Sequence, residues 1–295
     1  MKKLFLSSVV LLMALVAQAQ TKIAPKLENG FKAVYTEEST LEAGAGPIKM
    51  TAEVEYVVGD VTADGATITV TSKIVSTEAD ASNPMSSLLT ASSKLLDGIA
   101  IKFNTDVEGK VLGVANLDEV KTKAGEISKA LIDEIYKNIP ELSSMFPREG
   151  LEAQFAESLS ENAIIQGITN SGVLGLNGKT IMNGATENYE SEQGIKMKRM
   201  YFVTGKNIIA NASLDMSKDE LKAFIIKQVE EAAPDQAQMV KDNIDMVMEQ
   251  LKPEVSAKTT YTMQDNGWPL SIKSETSQNM MGQSQKQTSV TTLKQ

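Results

Sequence analysis

The sequence contains no histidine and no cysteine in its 295 residues. Without histidine it lacks the commonest general base and a preferred zinc ligand, and without cysteine it lacks a thiol nucleophile and any disulfide. A serine nucleophile would need a lysine base, but neither a Ser-x-x-Lys nor a Gly-x-Ser-x-Gly motif occurs. We therefore expect a protein that is not an enzyme and that is stabilised by a packed core.

Cofactor and metal motifs are also missing. The segment Gly175–Thr180 resembles a phosphate-binding loop, but the residue two positions before it is Val173, where the motif needs a glycine. No acidic segment has the alternating spacing of a calcium loop. The 15 methionines are scattered, which favours core packing over an apolar cavity and either of these over a copper site. We expect no metal and no cofactor.

Positive charge is scarce as well. There are 29 lysines and arginines against 38 acidic residues, and only Arg148 and Arg199 are arginines. Nucleic acids and anionic membranes are bound through clustered cations, so we expect no nucleic-acid partner. The single tryptophan, Trp268, leaves little for stacking on sugars. We interpret Glu37 and Glu38 as surface charges, although a hydrolase that combines carboxylates from distant segments stays open.

The first 19 residues have the pattern of a secretory signal peptide. Lys2 and Lys3 precede an apolar run, Leu4–Val16, and the small-residue segment Ala17–Ala19 predicts cleavage near Ala19. We expect a periplasmic or secreted protein. Because no cysteine follows, we expect no lipid attachment there, and no later segment has 18 uninterrupted apolar residues to span a bilayer.

Several segments alternate apolar and polar residues, which predicts strands with one buried face. The clearest are Met50–Val58 and Ile68–Ile74, which we expect to pair antiparallel, and the same alternation recurs over Ile195–Val203. The turn Asp265–Gly267 predicts a hairpin between the last strands. The polar segment Gln278–Gln287 fits either an edge strand or a loop.

Other segments carry apolar residues at helical spacing. Helices are predicted to begin at Pro84 and at Asn116, and another to run over about Gly150–Ile165. The strongest start is Ser217–Glu220, which has the pattern of a capping box. A second helix follows Pro234, and we expect this helical pair to pack on the apolar face of the sheet.

These elements predict an α+β fold: a curved, mostly antiparallel, half-barrel-like sheet with amphipathic helices packed on its concave apolar face. Residues 20–295 are predicted to form a single domain, because no linker rich in proline, glycine, serine or charge divides them. The order of strands and helices is similar in residues 20–170 and 171–295. The two halves are therefore candidates for a repeat of pattern, without residue-level identity.

Three sequence features together resemble a family of exported Bacteroidota proteins of unknown function. They are the signal end Ala17–Gln20, the strand-turn-strand segment Phe103–Val111 followed by Asn116–Glu119, and Gly267–Leu270. This resemblance implies no activity and no site residues. The expected architecture is also similar to the periplasmic lipoprotein-carrier fold, which implies a cavity between the sheet and its helices.

Three functional hypotheses follow. The first is a non-catalytic periplasmic protein that binds or carries an apolar ligand, such as a lipid or acyl chain. The second is an envelope scaffold or protein-interaction module with a filled core, and the third is a hydrolase that uses carboxylates or Ser and Lys. The candidate cavity residues are Val54, Tyr56, Ile68, Val70, Met197, Tyr201, Val255, Tyr261 and Trp268. The same side chains would also suit a filled core, with Trp268 as an anchor.

Overall fold

The structure is a computed structural model. It describes residues 20–43, 46–80, 84–140, 143, 147–170, 172–191, 194–232, 234–251, 254–280 and 283–294. The predicted signal peptide, residues 1–19, lies outside the described residues.

Runs of strands are separated by single helices or groups of helices along the described chain. The strands are β1 (Thr21–Lys22), β2 (Lys32–Ala43), β3 (Gly46–Gly59), β4 (Ala66–Glu78), β5 (Ala100–Thr105), β6 (Val111–Val114), β7 (Thr180–Ile181), β8 (Thr186–Glu190), β9 (Lys196–Thr204), β10 (Asn207–Leu214), β11 (Glu254–Met263), β12 (Pro269–Met280) and β13 (Gln283–Leu293). The helices are α1 (Pro84–Ser93), α2 (Leu117–Asn138), α3 (Arg148–Ser158), α4 (Glu161–Asn170), α5 (Lys218–Ala232), α6 (Pro234–Asp242) and α7 (Ile244–Leu251). In the part of the chain that the structure describes, no helix is both long and apolar enough to cross a membrane.

One sheet of 11 strands dominates the fold, in the order β6-β5-β4-β3-β2-β13-β12-β11-β10-β9-β8. Every neighbouring pair in it is antiparallel, and the sheet is not closed. The predicted α+β class, the β3–β4 pair and the β11–β12 hairpin are confirmed. In this sheet the strands of residues 20–170, β2–β6, and those of residues 171–295, β8–β13, meet at the β2–β13 pair, whereas β1 pairs with β7 across the two halves.

The end of the chain lies at the centre of the sheet. Strand β13 pairs with β12 on one side and with β2 on the other, so Thr288 is opposite both Glu275 and Thr40. Gln278 lies in β12 and Gln287 in β13, so the prediction of an edge strand or a loop for Gln278–Gln287 is wrong for the described part of this segment, and residues 281 and 282 lie outside it. Its polar composition suggested exposure, but β13 is hydrogen-bonded along both edges and lies between β12 and β2.

The helix starts follow local chemistry. In the predicted capping box, the backbone amide of Glu220 donates to Ser217 Oγ at 3.2 Å, and the amide of Ser217 donates to Glu220 Oε2 at 2.9 Å. Asn116 precedes α2 but does not cap it with its side chain. Instead its amide group accepts from the backbone of Lys102 at 2.8 Å and donates to the carbonyl of Ala100 at 2.9 Å, which ties the start of α2 to β5.

Two helix predictions are corrected. The single helix expected over Gly150–Ile165 is two helices, α3 and α4, and the break falls after Ser158, where the hydroxyl of that residue bonds back to the Phe155 carbonyl at 2.7 Å. The helix expected after Pro234 is also divided, into α6 and α7. There the side chain of Asn243, between the two, donates to the Met239 carbonyl at 2.8 Å.

The sheet buries one face against helices. Ile132 of α2, Phe155 of α3 and Ile164 of α4 belong to the same hydrophobic core as Tyr56 and Phe103 of the sheet. Burial of large apolar side chains of this kind is the main favourable contribution to folding.

Helices α5, α6 and α7 form a separate group. Leu221 and Ile225 of α5 pack with Met248 of α7. Phe224 of α5 packs against the cluster that contains Met197 and Ala212 of the sheet. Contact between this helical group and the sheet is thus made by α5.

Trp268 joins the N-terminal segment to the sheet. The indole is 1% exposed, donates from Nε1 to the Lys26 carbonyl at 3.2 Å and packs against Phe31 with ring centroids 5.1 Å apart. The preceding Gly267 has φ +80°, and a Cβ there would lie 2.5 Å from the Ala24 carbonyl oxygen. The turn therefore needs glycine both for its backbone conformation and for the close approach of the N-terminal segment.

We predict that Thr288→Pro, in the middle of β13, lowers the free energy of unfolding by about 2 kcal/mol or more, because it removes a ladder hydrogen bond from a central strand. The matched control is Thr186→Pro at the first residue of the edge strand β8, where proline is tolerated better. Urea unfolding followed by Trp268 fluorescence measures both. Equal losses in the two variants would contradict the central position of β13.

Candidate functional site

A cavity of about 770 Å³ lies between the apolar face of the sheet and helices α3 and α4. We call it the main cavity. On the sheet side it is lined by residues of β2, β3, β4, β5 and β13: Glu37, Val54, Tyr56, Val70, Ser72, Ile101, Phe103, Ser289 and Thr291. On the helix side it is lined by α3 and α4, and several of their lining residues are exposed: Gln154, Glu157, Ser158, Asn162 and Gly167. The cavity therefore reaches solvent along these two helices.

Strand register builds an apolar floor in this cavity. Tyr56 pairs with Val70, and Val70 pairs with Ile101, so the three side chains form a row across β3, β4 and β5. Val54 and Phe103 belong to the rows on either side. We call these five lining residues the apolar floor.

The floor turns polar where it meets the centre of the sheet. Thr291 of β13 is paired with Glu37 of β2, and Ser289 lies two residues along on the same face. Both hydroxyl residues line the main cavity. At these two positions the polar composition of β13 has a structural reason, because both side chains line a cavity.

Glu37 is the charged residue on the sheet side of the main cavity. Its side chain is half-buried, and burial raises the pKa of its carboxyl above the ordinary value. The described residues provide no hydrogen bond and no ion pair to it. The same carboxylate helps to raise the pKa of the fully buried Tyr56, although burial of that phenol is the larger cause. Our interpretation of Glu37 as a surface charge is wrong, whereas Glu38 next to it is exposed.

The predicted cavity residues divide into three groups. Val54, Tyr56 and Val70 line the main cavity. Met197 and Val255 line a smaller cavity of about 240 Å³ over β9–β12. The structure therefore brings these two sets to different places on the same face of the sheet.

The remaining four predicted residues are buried in the core. Ile68 is 0% exposed and Trp268 1% exposed. Tyr201 and Tyr261 are also buried, and burial raises the pKa of both phenols. None of the four is among the side chains that line the main cavity.

A partly buried ionic cluster lies on the other side of α4, next to Ile165 and Thr169. Lys179 Nζ donates to both carboxylate oxygens of Glu187, at 2.7 and 2.8 Å, and to the Tyr201 hydroxyl at 3.1 Å. Arg199 Nη1 is 3.7 Å from Glu187, and its guanidinium lies 4.1 Å above the Tyr189 ring. We call Lys179, Glu187, Tyr189, Arg199 and Tyr201 the Arg199 cluster.

The two cations of the Arg199 cluster, Lys179 and Arg199, share one carboxylate, Glu187. Burial lowers the pKa of Lys179, although its ion pair with Glu187 acts in the opposite direction. For Glu187, burial acts to raise the pKa, but the hydrogen bonds from Lys179 and Tyr201 outweigh it and lower the pKa. Arg199 also donates from Nη2 to the Asn170 carbonyl at 2.9 Å, which fixes the end of α4. These contacts indicate that the Arg199 cluster supports α4 structurally.

The Arg199 cluster is not predicted by the sequence patterns above, although one signal for Arg199 is present in them. Arg199 occupies the alternate position between Met197 and Tyr201, so the period-two pattern places it on the buried face of β9. Lys179 and Glu187 are brought to it by the fold from other segments. No local pattern marks them.

The described residues bring together no group of three or more histidine, cysteine, aspartate or glutamate side chains that could hold a metal ion. The lining of the main cavity is apolar over β3, β4 and β5 and polar both at the central strands and along α3 and α4.

Comparisons with known proteins leave the family open. No protein-family model matches the chain, and no curated protein matches it. Among solved structures, a Bacteroides fragilis protein described as exported, with a YmcC-like fold, is similar at a TM-score of 0.28 and 7% identity, covering 93% of this chain and 100% of its own. A porin-like protein from Bacteroides uniformis is similar at a TM-score of 0.18 and 9% identity, covering 92% of this chain and 98% of its own.

We predict that Glu37→Gln stabilises the protein at pH 7.5. Because burial raises the folded-state pKa of Glu37, ionisation of this carboxyl costs the folded state free energy once the pH exceeds the unfolded value of about 4.3. The gain should shrink as the pH falls and vanish well below about pH 4.3, where the carboxyl is protonated in both states. Thermal unfolding over this pH range measures it.

The control for this prediction is Glu38→Gln, which changes the exposed neighbour on the opposite face of β2. A larger gain at pH 7.5 in Glu37→Gln than in Glu38→Gln supports the assignment. Identical pH profiles for the two variants would contradict it.

We predict that Arg199→Met lowers the free energy of unfolding by about 2 kcal/mol, because it removes a charged hydrogen bond to Asn170 and a cation-π contact in a buried site. The chain offers a matched control in its other arginine, Arg148, which forms ion pairs with Asp133 and Glu152 that are exposed. Arg148→Met should cost clearly less, since exposed pairs contribute little. Urea unfolding measures the free energy of unfolding of both variants, and a similar loss in both would contradict this interpretation of the cluster.

Proposed function

We propose that this protein is a non-catalytic exported protein that binds an apolar ligand, such as a lipid or acyl chain, in the main cavity. The observation that carries the proposal is an unfilled volume of about 770 Å³ over the apolar floor. Protein interiors are normally packed as densely as organic crystals, and ligand sites have volumes of this order. We further propose that the sheet curves around α3 and α4, with its apolar face concave.

The binding energy would come from apolar surface. Val54, Tyr56, Val70, Ile101 and Phe103 offer contiguous apolar side chains on one side of the cavity. Each CH2 group that a ligand buries against such a surface contributes about 0.8 kcal/mol. The hydroxyls of Ser289 and Thr291 provide hydrogen bonds for a polar end at the central strands.

The lining also supports a role other than catalysis. A serine nucleophile needs a basic partner, but the described lining of the main cavity contains serines and no lysine. The two acidic lining residues differ in their surroundings. Glu37 is half-buried on the sheet side of the cavity, and Glu157 is exposed on α3. A hydrolase that uses these carboxylates would show turnover of aryl glycosides or esters that is lost in Glu37→Gln, and we expect none.

Export supports the proposal from the sequence side. We propose that residues 1–19 act as a signal peptide, that cleavage occurs near Ala19 and that no lipid is attached there, since no cysteine is present. The protein would then act in the periplasm or outside the cell, where acyl chains need a protein to shield them from water.

We predict that the protein binds the neutral dye N-phenyl-1-naphthylamine and that 1-alkanols displace it. Between 1-hexanol and 1-decanol, the Kd should fall about fourfold for each added CH2, as expected for burial of the chain on an apolar surface. Fluorescence titration of the mature protein measures this series.

The control for this prediction is a pair of alanine variants. Ala163 of α4 lines the main cavity, whereas Ala153 of α3 is exposed and is not among the lining residues. Ala163→Phe fills the cavity and should weaken binding by about tenfold or more, while Ala153→Phe should leave it unchanged. No dependence of Kd on chain length, or equal binding by both variants, would contradict the proposal and favour an envelope scaffold with a filled core.

A further inference from the structure

The charges that line the main cavity are of one sign. Its charged lining residues are Glu37 on the sheet side and Glu157 on α3, and the described lining includes no lysine and no arginine. A fatty-acid or phosphate headgroup in this cavity would meet two acidic residues and no basic partner. The chemistry of the lining therefore disfavours the anionic lipids that an apolar cavity would otherwise accept.

Glu37 differs from other carboxylates of the central strands. On the opposite face of β3, Glu53 is paired with Lys294 and Glu55 with Lys32, and both ion pairs are solvent-exposed. Glu37 is half-buried on the cavity side, and burial alone accounts for the raised pKa of its carboxyl. Isolated buried carboxylates are costly for a folded protein, whereas a cation placed beside them recovers the lost solvation.

We infer that the ligand of the main cavity is a cationic amphiphile: an apolar chain that lies on the apolar floor, with an amine that pairs with Glu37. This inference rests on the proposed function and adds the class of headgroup. The register places Glu37 beside Thr291, so the ammonium would have a carboxylate and a hydroxyl oxygen as acceptors at the polar end of the floor. The amine and Glu37 would form a noncovalent ion pair, which needs no co-reactant.

Three amphiphiles with the same chain test the inference. Dodecylamine and dodecanoate below their micelle concentrations, and 1-dodecanol below its solubility limit, are used at pH 7.5 to displace the neutral dye from the mature protein. We expect dodecylamine to bind about tenfold more tightly than 1-dodecanol, and dodecanoate about tenfold more weakly, since a partly buried charge pair is worth about one decade in Kd and a like charge costs a similar amount. This ranking is measured on the unaltered protein.

Glu37→Gln then locates the effect. The amine should lose its advantage over the alcohol in this variant, so that the ratio of their Kd values falls to about one, while alcohol binding persists. Glu38→Gln, on the opposite face of β2, should keep the ratio. A ratio that survives in Glu37→Gln would overturn the inference.

The outcomes separate this inference from the proposed function. Dodecanoate that binds as tightly as dodecylamine would overturn the headgroup assignment and leave an apolar binding protein. Failure of all three ligands, the neutral alcohol included, would overturn both the inference and the proposed function.

Discussion

The pairing of β13 with β2 is the constraint on which the rest of the structure depends. These two strands come from opposite ends of the described chain, and their register holds the β2–β6 and β8–β12 sets together in one sheet. Because the backbone of β13 is hydrogen-bonded to β12 and to β2, only its side chains are directed toward the helices. Ser289 and Thr291 are too small and too polar to fill that space. The main cavity is the direct result.

In the proposed function, this arrangement places the ligand in the main cavity. Glu37 of β2 is opposite Ala52 of β3 and Thr291 of β13, so this polar pair lies one row beyond Val54 of the apolar floor. A carboxyl that costs the folded state free energy is typical of sites shaped for a ligand rather than for stability. The Arg199 cluster on the other side of α4 differs from Glu37, because each of its charged side chains has a hydrogen-bond or ion-pair partner.

Much of the fold could be predicted from local patterns. The alternation over Met50–Val58, the capping box at Ser217 and the turn ending in Gly267 each encode a structure within a few residues. The central position of β13 could not be predicted, because polar residues suggest exposure and strand order is a long-range property. Of the candidate site, the period-two rule found Val54, Tyr56 and Val70. It missed Glu37, since a carboxylate facing a cavity looks in sequence like one facing water.

The most direct test of the central claim is a crystal structure of the mature protein with 12-bromododecan-1-ol, using the anomalous signal of bromine to find the chain end. The account predicts one bromine peak between the apolar floor and helices α3 and α4, within van der Waals contact of Val70 or Phe103. A cavity filled by its own side chains, or bromine only at the outer surface of the protein, would contradict it.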